Sequence, residues 1–265
     1  MKKALLFGWA VVLVTLLCAA NAGAGQALDS IVRKGELVVG ITGDQPPLNA
    51  VSKEGEVIGL DADLAAAIAK GMNLKLRFAR MPFAELLPAL QAGKIDMVVS
   101  GMTMTAERNT KVAFIGPYYV SGKGILLKLK SLETLKKEGL NSEKFRVATL
   151  KGSTSQAVVE KAAPKAGLSL ADSYDKAIEM LLQDKADAVI ADFPFCAYMA
   201  DRHADKDLAV AETKLSFEPL GIAVREDPLL INGLENFLRV MVMAGEMNEL
   251  QDKWFHGRSW FKQLP

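Results

Sequence analysis

The sequence predicts an α/β protein built as two lobes, and three observations carry that prediction. From Leu28 onward, short β-rich runs alternate with segments of helical periodicity. One pattern occurs twice, about 90 residues apart. Leu90-Gln-Ala-Gly-Lys-Ile-Asp-Met-Val-Val-Ser and Leu182-Gln-Asp-Lys-Ala-Asp-Ala-Val-Ile-Ala share a helix end, a Lys-X-Asp turn and an apolar strand. Between them lie the extended runs Val112 to Val120 and Gly122 to Leu127, punctuated by glycines and a proline, which read as a segment crossing from one lobe to the other. With 265 residues, 50% apolar and 24% charged, the chain is long enough for one large domain or two small ones with a proper core.

At the N-terminus, Lys2 and Lys3 precede an uncharged apolar run from Ala4 to Ala20, and Ala20-Asn21-Ala22 supplies small residues at a cleavage site. Residues 1–22 therefore read as a cleaved secretory signal. The run is marginal for a membrane span, so an uncleaved anchor is the alternative. Leu16-Leu17 ahead of Cys18 lacks the small residue that a lipid-attachment site places before its cysteine. Cleavage removes Lys2 and Lys3 and no acid, so the 32 basic residues become 30 against 31 acidic ones. That balance gives no electrostatic footprint for nucleic acid or an anionic membrane. Cys196 is then the one remaining cysteine, so the exported chain has no internal disulfide. His203 and His256 stand too far apart for a metal-site spacing, and no metal or cofactor is expected.

Glu36 to Ile41 reads as the first strand, ending in the loop Thr42-Gly-Asp-Gln-Pro-Pro47. A turn at Lys53 to Glu56 follows, then Leu64 to Ala69 as an amphipathic helix with Asp61 and Asp63 at its positive end. Leu74 to Phe78 alternates as a strand, Phe83 to Gln91 reads as a helix that Gly93 stops, and Ile95 to Val99 as a strand. Phe145 to Ala148 opens a second unit with the loop Lys151 to Ser155, the helix Tyr174 to Gln183 and the strand Ala188 to Ala191. Leu220 to Arg225 is a third extended run behind Glu218-Pro219, and helices Ile231 to Ala244 and Met247 to Trp254 close the chain.

Candidate site residues stand where strands end. Ile95 to Val99 delivers Ser100-Gly-Met-Thr-Met-Thr-Ala-Glu-Arg108, in which main-chain N–H groups, the Thr103 hydroxyl and the planar Arg108 guanidinium form a receptor for a carboxylate. The competing reading makes Thr105 a helix N-cap and Arg108 a solvated helix residue. The second echo ends at Asp192, which two facing lobes place opposite Arg108, beyond the carboxyl ends of the strands. Asp192 is also a candidate cap for a helix entered at Phe193-Pro194, and Thr154 for the helix after the second-lobe loop.

The chain resembles the solute-binding proteins of amino-acid ABC importers. The resemblance rests on Gly59-Leu-Asp-Ala-Asp-Leu, Leu87-Pro-Ala-Leu-Gln-Ala-Gly-Lys-Ile-Asp-Met, the stretch Ser100 to Arg108 continuing to Phe114-Ile-Gly-Pro-Tyr-Tyr, and Gly152-Ser-Thr with Ala191-Asp-Phe-Pro. It runs from about Leu28 to Trp254, with Ala62 replacing the usual larger aliphatic. It implies the two-lobed periplasmic-binding-protein fold, with two crossing hinge strands and a ligand cleft between the lobes: residues 28–121 and 220–265 form one lobe and 122–219 the other. It further implies a monomeric periplasmic receptor that closes on an amino acid or related carboxylate and presents it to an ABC permease.

By that resemblance, Arg108 pairs with the ligand's α-carboxylate, helped by Thr103, the Gly101 backbone and Thr154, and Asp192 accepts from the α-ammonium. A zwitterion loses its water only where both charges meet fixed opposite partners, so the chemistry agrees. The side-chain pocket departs from the pattern. Gln45 and Leu48 stand where many relatives carry clamping aromatics, leaving Phe83 as a single platform, with core packing as its alternative. Gln45 reads equally as a ligand hydrogen-bonder or an exposed loop residue, and a neutral or apolar ligand side chain is favoured. The rival is an enzyme on the same fold, similar to periplasmic cyclohexadienyl or arogenate dehydratases, which share Thr42-Gly43-Asp44. Their glutamate three positions beyond the aspartate is replaced here by Phe195, which removes the general acid.

Overall fold

The computed structural model describes residues 25–211 and 216–265; the expected signal, residues 1–22, lies outside them. The chain first supplies α1 (Gln26–Lys34), β1 (Glu36–Ile41), the short strands β2 (Asp44–Gln45), β3 (Asn49–Val51) and β4 (Val57–Ile58), then α2 (Leu60–Gly71), β5 (Lys75–Arg80), α3 (Phe83–Gln91), β6 (Met97–Val98), α4 (Ala106–Asn109) and β7 (Ala113–Ser121). A second set follows: β8 (Lys123–Lys128), α5 (Leu129–Glu138), β9 (Arg146–Leu150), α6 (Thr154–Ala162), β10 (Gly167–Ala171), α7 (Tyr174–Leu182), β11 (Ala188–Asp192), α8 (Phe193–Arg202) and β12 (Leu208–Ala211). The chain then returns through β13 (Glu218–Val224), α9 (Pro228–Met243) and α10 (Glu246–Gln251), and ends in short turns over Asp252–His256 and Ser259–Gln263.

Two five-stranded sheets result, ordered β5-β1-β6-β13-β7 and β10-β9-β11-β8-β12. They repeat one plan. In each, three parallel strands are followed by a fourth that runs against them and a fifth antiparallel to the fourth: β1 is parallel to β5 and β6, and β9 to β10 and β11, while β13 and β8 are antiparallel to both of their neighbours. The fourth strand of each sheet, β13 or β8, adjoins a crossing. Gly122 alone separates β7 of the first sheet from β8 of the second, and the chain re-enters the first sheet at Glu218, which lies opposite Ser121 in the β13–β7 ladder.

The internal echo has a physical role in both sheets. Asp96 accepts the Val38 N–H at 3.0 Å, and Asp187 accepts the Arg146 N–H at 2.9 Å. Each Lys-X-Asp turn thus fastens the third strand to the second strand of its own sheet, satisfying a backbone donor that the ladder leaves unpaired.

The remaining elements follow from periodicity and caps. Helix α9 buries Leu230, Leu234, Leu238 and Met241, a stripe at helical spacing. Asp227 caps it, accepting from Leu229 and Leu230, and also takes the Ala27 and Leu28 N–H groups of α1 at 3.0 Å each. Strands β10 and β12 and helix α5 have no counterpart in the sequence reading. The two strands are sheet edges with mostly half-exposed residues, and α5 buries only Ser131, so none carries a strong apolar signal. The C-terminal segment reaches back to α8. Trp260 and Phe261 pack on Tyr198 with ring centroids 5.1 Å away in each case, while Trp254 lies 5.5 Å from Trp260 and bonds Asp63 of α2.

Candidate functional site

The site forms where β6 and β11 end and the lobes meet. Past β6 the backbone turns at Gly101, with φ of +56°. A Cβ there would stand 2.5 Å from Gln45 Oε1 and 3.0 Å from Leu48 Cδ1, so only glycine fits. Thr103 bridges to Leu220 of β13, which sets its hydroxyl beside Glu218. Thr105 then caps α4, accepting the Arg108 N–H at 3.1 Å. The cap and the cleft-facing guanidinium therefore coexist. Arg108 Nη1 donates to the Thr103 carbonyl at 2.8 Å, and Nη2 crosses to the Gly152 carbonyl of the other lobe at 3.0 Å. Its Cζ sits 5.5 Å from the centroid of the Phe83 ring, a cation–π distance. Phe83 is buried and serves as a platform for Arg108. Burial lowers the pKa of Arg108, opposed by the charges of Glu218, Glu107 and Asp192.

On the second wall Asp192 is buried at the N-cap position of α8, yet its side chain makes no capping bond. It accepts instead from Gln45 Nε2 at 2.8 Å and from Lys123 Nζ at 3.1 and 3.2 Å. Ser153, not Thr154, caps α6. That frees the Thr154 hydroxyl, which donates to Glu218 Oε2 at 2.8 Å and lies 3.3 Å from the Thr103 hydroxyl. Thr103 Oγ1 donates to the same Glu218 oxygen at 2.7 Å, and Ser216 donates to the other. Burial pushes the Glu218 carboxyl upward, but the Lys123 charge and the three hydroxyl bonds outweigh it, and the net shift is downward.

The structure thus brings Arg108, Thr103, Thr154, Asp192, Phe83 and Gln45 together. It removes the exposed-loop reading of Gln45. Leu48 is wholly buried in the first-lobe core beneath Gly101. The Gly101 amide is engaged by Asp61, which also accepts from Tyr118 Oη at 2.7 Å and Asn49 Nδ2 at 2.8 Å. Burial raises Asp61 to about 7 against these hydrogen bonds. Asn49 in turn accepts from Thr42 Oγ1 and the Gly43 N–H, so the loop carrying Asp44 and Gln45 is pinned from below. Asp44 accepts the Tyr174 N–H of the other lobe at 2.7 Å, and burial raises its pKa. A cleft of about 520 Å³ opens beside this contact, lined in part by Asp44, Arg80, Tyr198 and Arg202.

Two members of the cluster escaped sequence reasoning: Lys123, 2% exposed, and Glu218, 4% exposed. A signal existed for each. Lys123 stands between glycines at the head of a strand that is apolar up to its terminal Lys128, and Glu218 opens a buried strand just before a proline. A charge inside an apolar run is either at an edge or paired. Cys196 is fully buried, and burial pushes its thiol to about 12. Among the described residues no group of three or more His, Cys, Asp or Glu is arranged to hold a metal ion, and no helix is long and apolar enough to cross a membrane.

Comparison with known proteins places this geometry in context. Residues 37–257 match the family model described as bacterial extracellular solute-binding proteins, family 3. The chain is 29% identical over 252 residues to the ABC transporter arginine-binding protein 1 of Escherichia coli (strain K12), covering 92% of this chain and 98% of that one. It superposes with a TM-score of 0.81 at 37% identity on the ancestral amino acid-binding protein AncCDT-1, a precursor of cyclohexadienyl dehydratase, covering 87% of this chain and all of that one. The TM-score is also 0.81, at 33% identity, for a putative ABC-transporter binding component from Wolinella succinogenes DSM 1740 complexed with lysine, covering 86% of this chain and 99% of the other.

Proposed function

Because the chain belongs to the bacterial extracellular solute-binding proteins, family 3, we propose that it binds an amino acid outside the cytoplasm, as a periplasmic monomer, and hands it to an ABC permease. The observation that carries this reading is that Arg108, on α4 just beyond β6, and Asp192, at the end of β11, face the junction of the two lobes, with Arg108 reaching Gly152 and Gln45 reaching Asp192 across it. Arg108, Thr103 and Thr154 offer donors for an α-carboxylate, and Asp192 offers an acceptor for an α-ammonium. The lobes, divided as 28–121 with 218–265 and 122–217 because β13 joins the first sheet from Glu218 rather than from the expected residue 220, close by rotation about the crossings at Gly122 and ahead of β13. The relatives named above as binding arginine or complexed with lysine support an amino acid as the ligand class.

The dehydratase alternative takes its support from the AncCDT-1 neighbour. Against it, the position three beyond Asp192 holds Phe195, wholly buried and packed on Tyr174 with ring centroids 4.5 Å apart. We read the protein as non-catalytic. A thermal-shift screen against amino acids and small organic acids tests the proposal, since a ligand selective for the folded state raises the melting temperature. An amino acid that raises it is the expected result. No shift with any amino acid, or turnover of prephenate or arogenate, overturns it.

A further inference from the structure

We infer that Lys123 and Glu218 form a built-in surrogate for the two charged groups of an amino acid, which occupies the site when no ligand is bound and yields to one. The inference rests on the amino-acid reading above. The groups expected to hold the ligand are all engaged by the chain itself. Asp192, the ammonium acceptor, holds the Lys123 ammonium at 3.1 and 3.2 Å. Thr103 and Thr154, the carboxylate donors, both donate to Glu218 Oε2 at 2.7 and 2.8 Å. Lys123 Nζ stands 3.6 Å from that same oxygen. In an α-amino acid two bonds separate the amino nitrogen from the carboxylate carbon, so its charges stand roughly 3 Å apart. The internal pair reproduces that spacing and that polarity.

The pair also spans the lobes as a ligand would. Lys123 is the direct cross-strand partner of Asp192 in the second sheet, whereas Glu218 belongs to the first sheet. The bond from Thr154 to Glu218 and the Lys123–Glu218 contact therefore tie one lobe to the other. Both side chains are buried, so neither charge is dispersed by water. An entering zwitterion displaces Lys123 from Asp192 and Glu218 from the two threonines at once. The released ammonium and carboxylate already adjoin, so each neutralises the other and no buried charge is orphaned. A carboxylate without an ammonium displaces Glu218 alone, leaving that exchange unbalanced. The pair thereby selects for zwitterions while lowering their apparent affinity by the fraction of molecules that are self-occupied.

The test compares wild type with the charge-balanced double variant Lys123→Met/Glu218→Gln, and with Glu218→Gln alone should the double variant not fold. Small-angle scattering without ligand reads self-closure, and calorimetry with the amino acids found by thermal shift, plus their des-amino analogues, reads displacement. The expected variant is wider than wild type when unliganded, contracts on adding the amino acid, and binds it about tenfold more tightly, the gain from removing a competitor that fills nine sites in ten. Its preference for the amino acid over the des-amino analogue falls. An unliganded radius equal to wild type, or an affinity equal or weaker in a folded variant, overturns the inference. A wider variant with no amino-acid binding by either protein overturns the amino-acid reading instead, and displacement with it.

Discussion

Arg108→Ala separates a binding arginine from a structural one. In the protein as it stands, the guanidinium makes two hydrogen bonds to carbonyls, at 2.8 and 3.0 Å, and rests on Phe83. Those contacts are worth about 1 kcal/mol each in net stability, and the second carbonyl belongs to Gly152, beyond the end of β9 in the other sheet. Removing the side chain should therefore cost roughly 1–3 kcal/mol of folding stability. Binding should suffer more. A buried, hydrogen-bonded charge pair loses about 2–5 kcal/mol when one partner is truncated, which is roughly 30- to 4000-fold in affinity. Arg108→Lys keeps the charge but not the paired donors, so it should fall between wild type and alanine. Calorimetric titration with the amino acid identified by thermal shift gives the affinities, and urea melts give the stabilities. An alanine variant that binds within about threefold of wild type refutes the carboxylate role, whatever its stability.

Three further outcomes are expected. Asp192→Asn should weaken amino-acid binding strongly and spare a des-amino analogue; because it also strips Lys123 of its closest partner, a stability loss of about 3–5 kcal/mol should accompany it, and equal loss for both ligands contradicts the ammonium role. Burial raises Asp61 from the ordinary carboxylate value of 3.8 to about 7, so its protonated form favours folding; that contribution, up to roughly 4 kcal/mol, is complete below about pH 4 and is lost as pH rises toward 7. Urea melts of wild type and Asp61→Asn across that window should differ in slope, and parallel profiles would remove the argument. Asp227→Ala leaves four backbone donors without their carboxylate, a cost of roughly 2–4 kcal/mol at pH 7. Its backbone hydrogen bonds outweigh burial and lower its pKa, so its stabilisation is present above the unfolded pKa and the gap from wild type should close as pH falls through the folded one.

Much of the fold was legible because it rests on local signals. Strand Glu36–Ile41 and helix Phe83–Gln91 fall where the apolar pattern sets them, and the doubled Lys-X-Asp motif marks the third strand of each sheet. Edge strands β10 and β12 were not legible, since half-exposed residues carry little periodicity. In the candidate site, Arg108, Thr103, Thr154 and Asp192 could be read as strand-end residues flanked by small neighbours. Their partners could not. Glu218 lies 115 positions from Thr103 and 64 from Thr154, and only the pairing of β13 with β7 brings it to them. Gln45 was ambiguous for the same reason: what buries it, Asp192, is 147 positions away.

The aromatic packing of the C-terminal segment has a practical corollary. Of the three tryptophans, Trp9 falls within the expected signal and the other two are Trp254 and Trp260. Trp254 is bonded to Asp63 of the first lobe, and Trp260 is wedged between Trp254 and Tyr198 of the second. Both indoles outside the expected signal thus straddle the seam that hinge motion would open. Native ultraviolet emission becomes a label-free gauge of that motion, with rapid-mixing experiments resolving opening and closing rates without an attached dye.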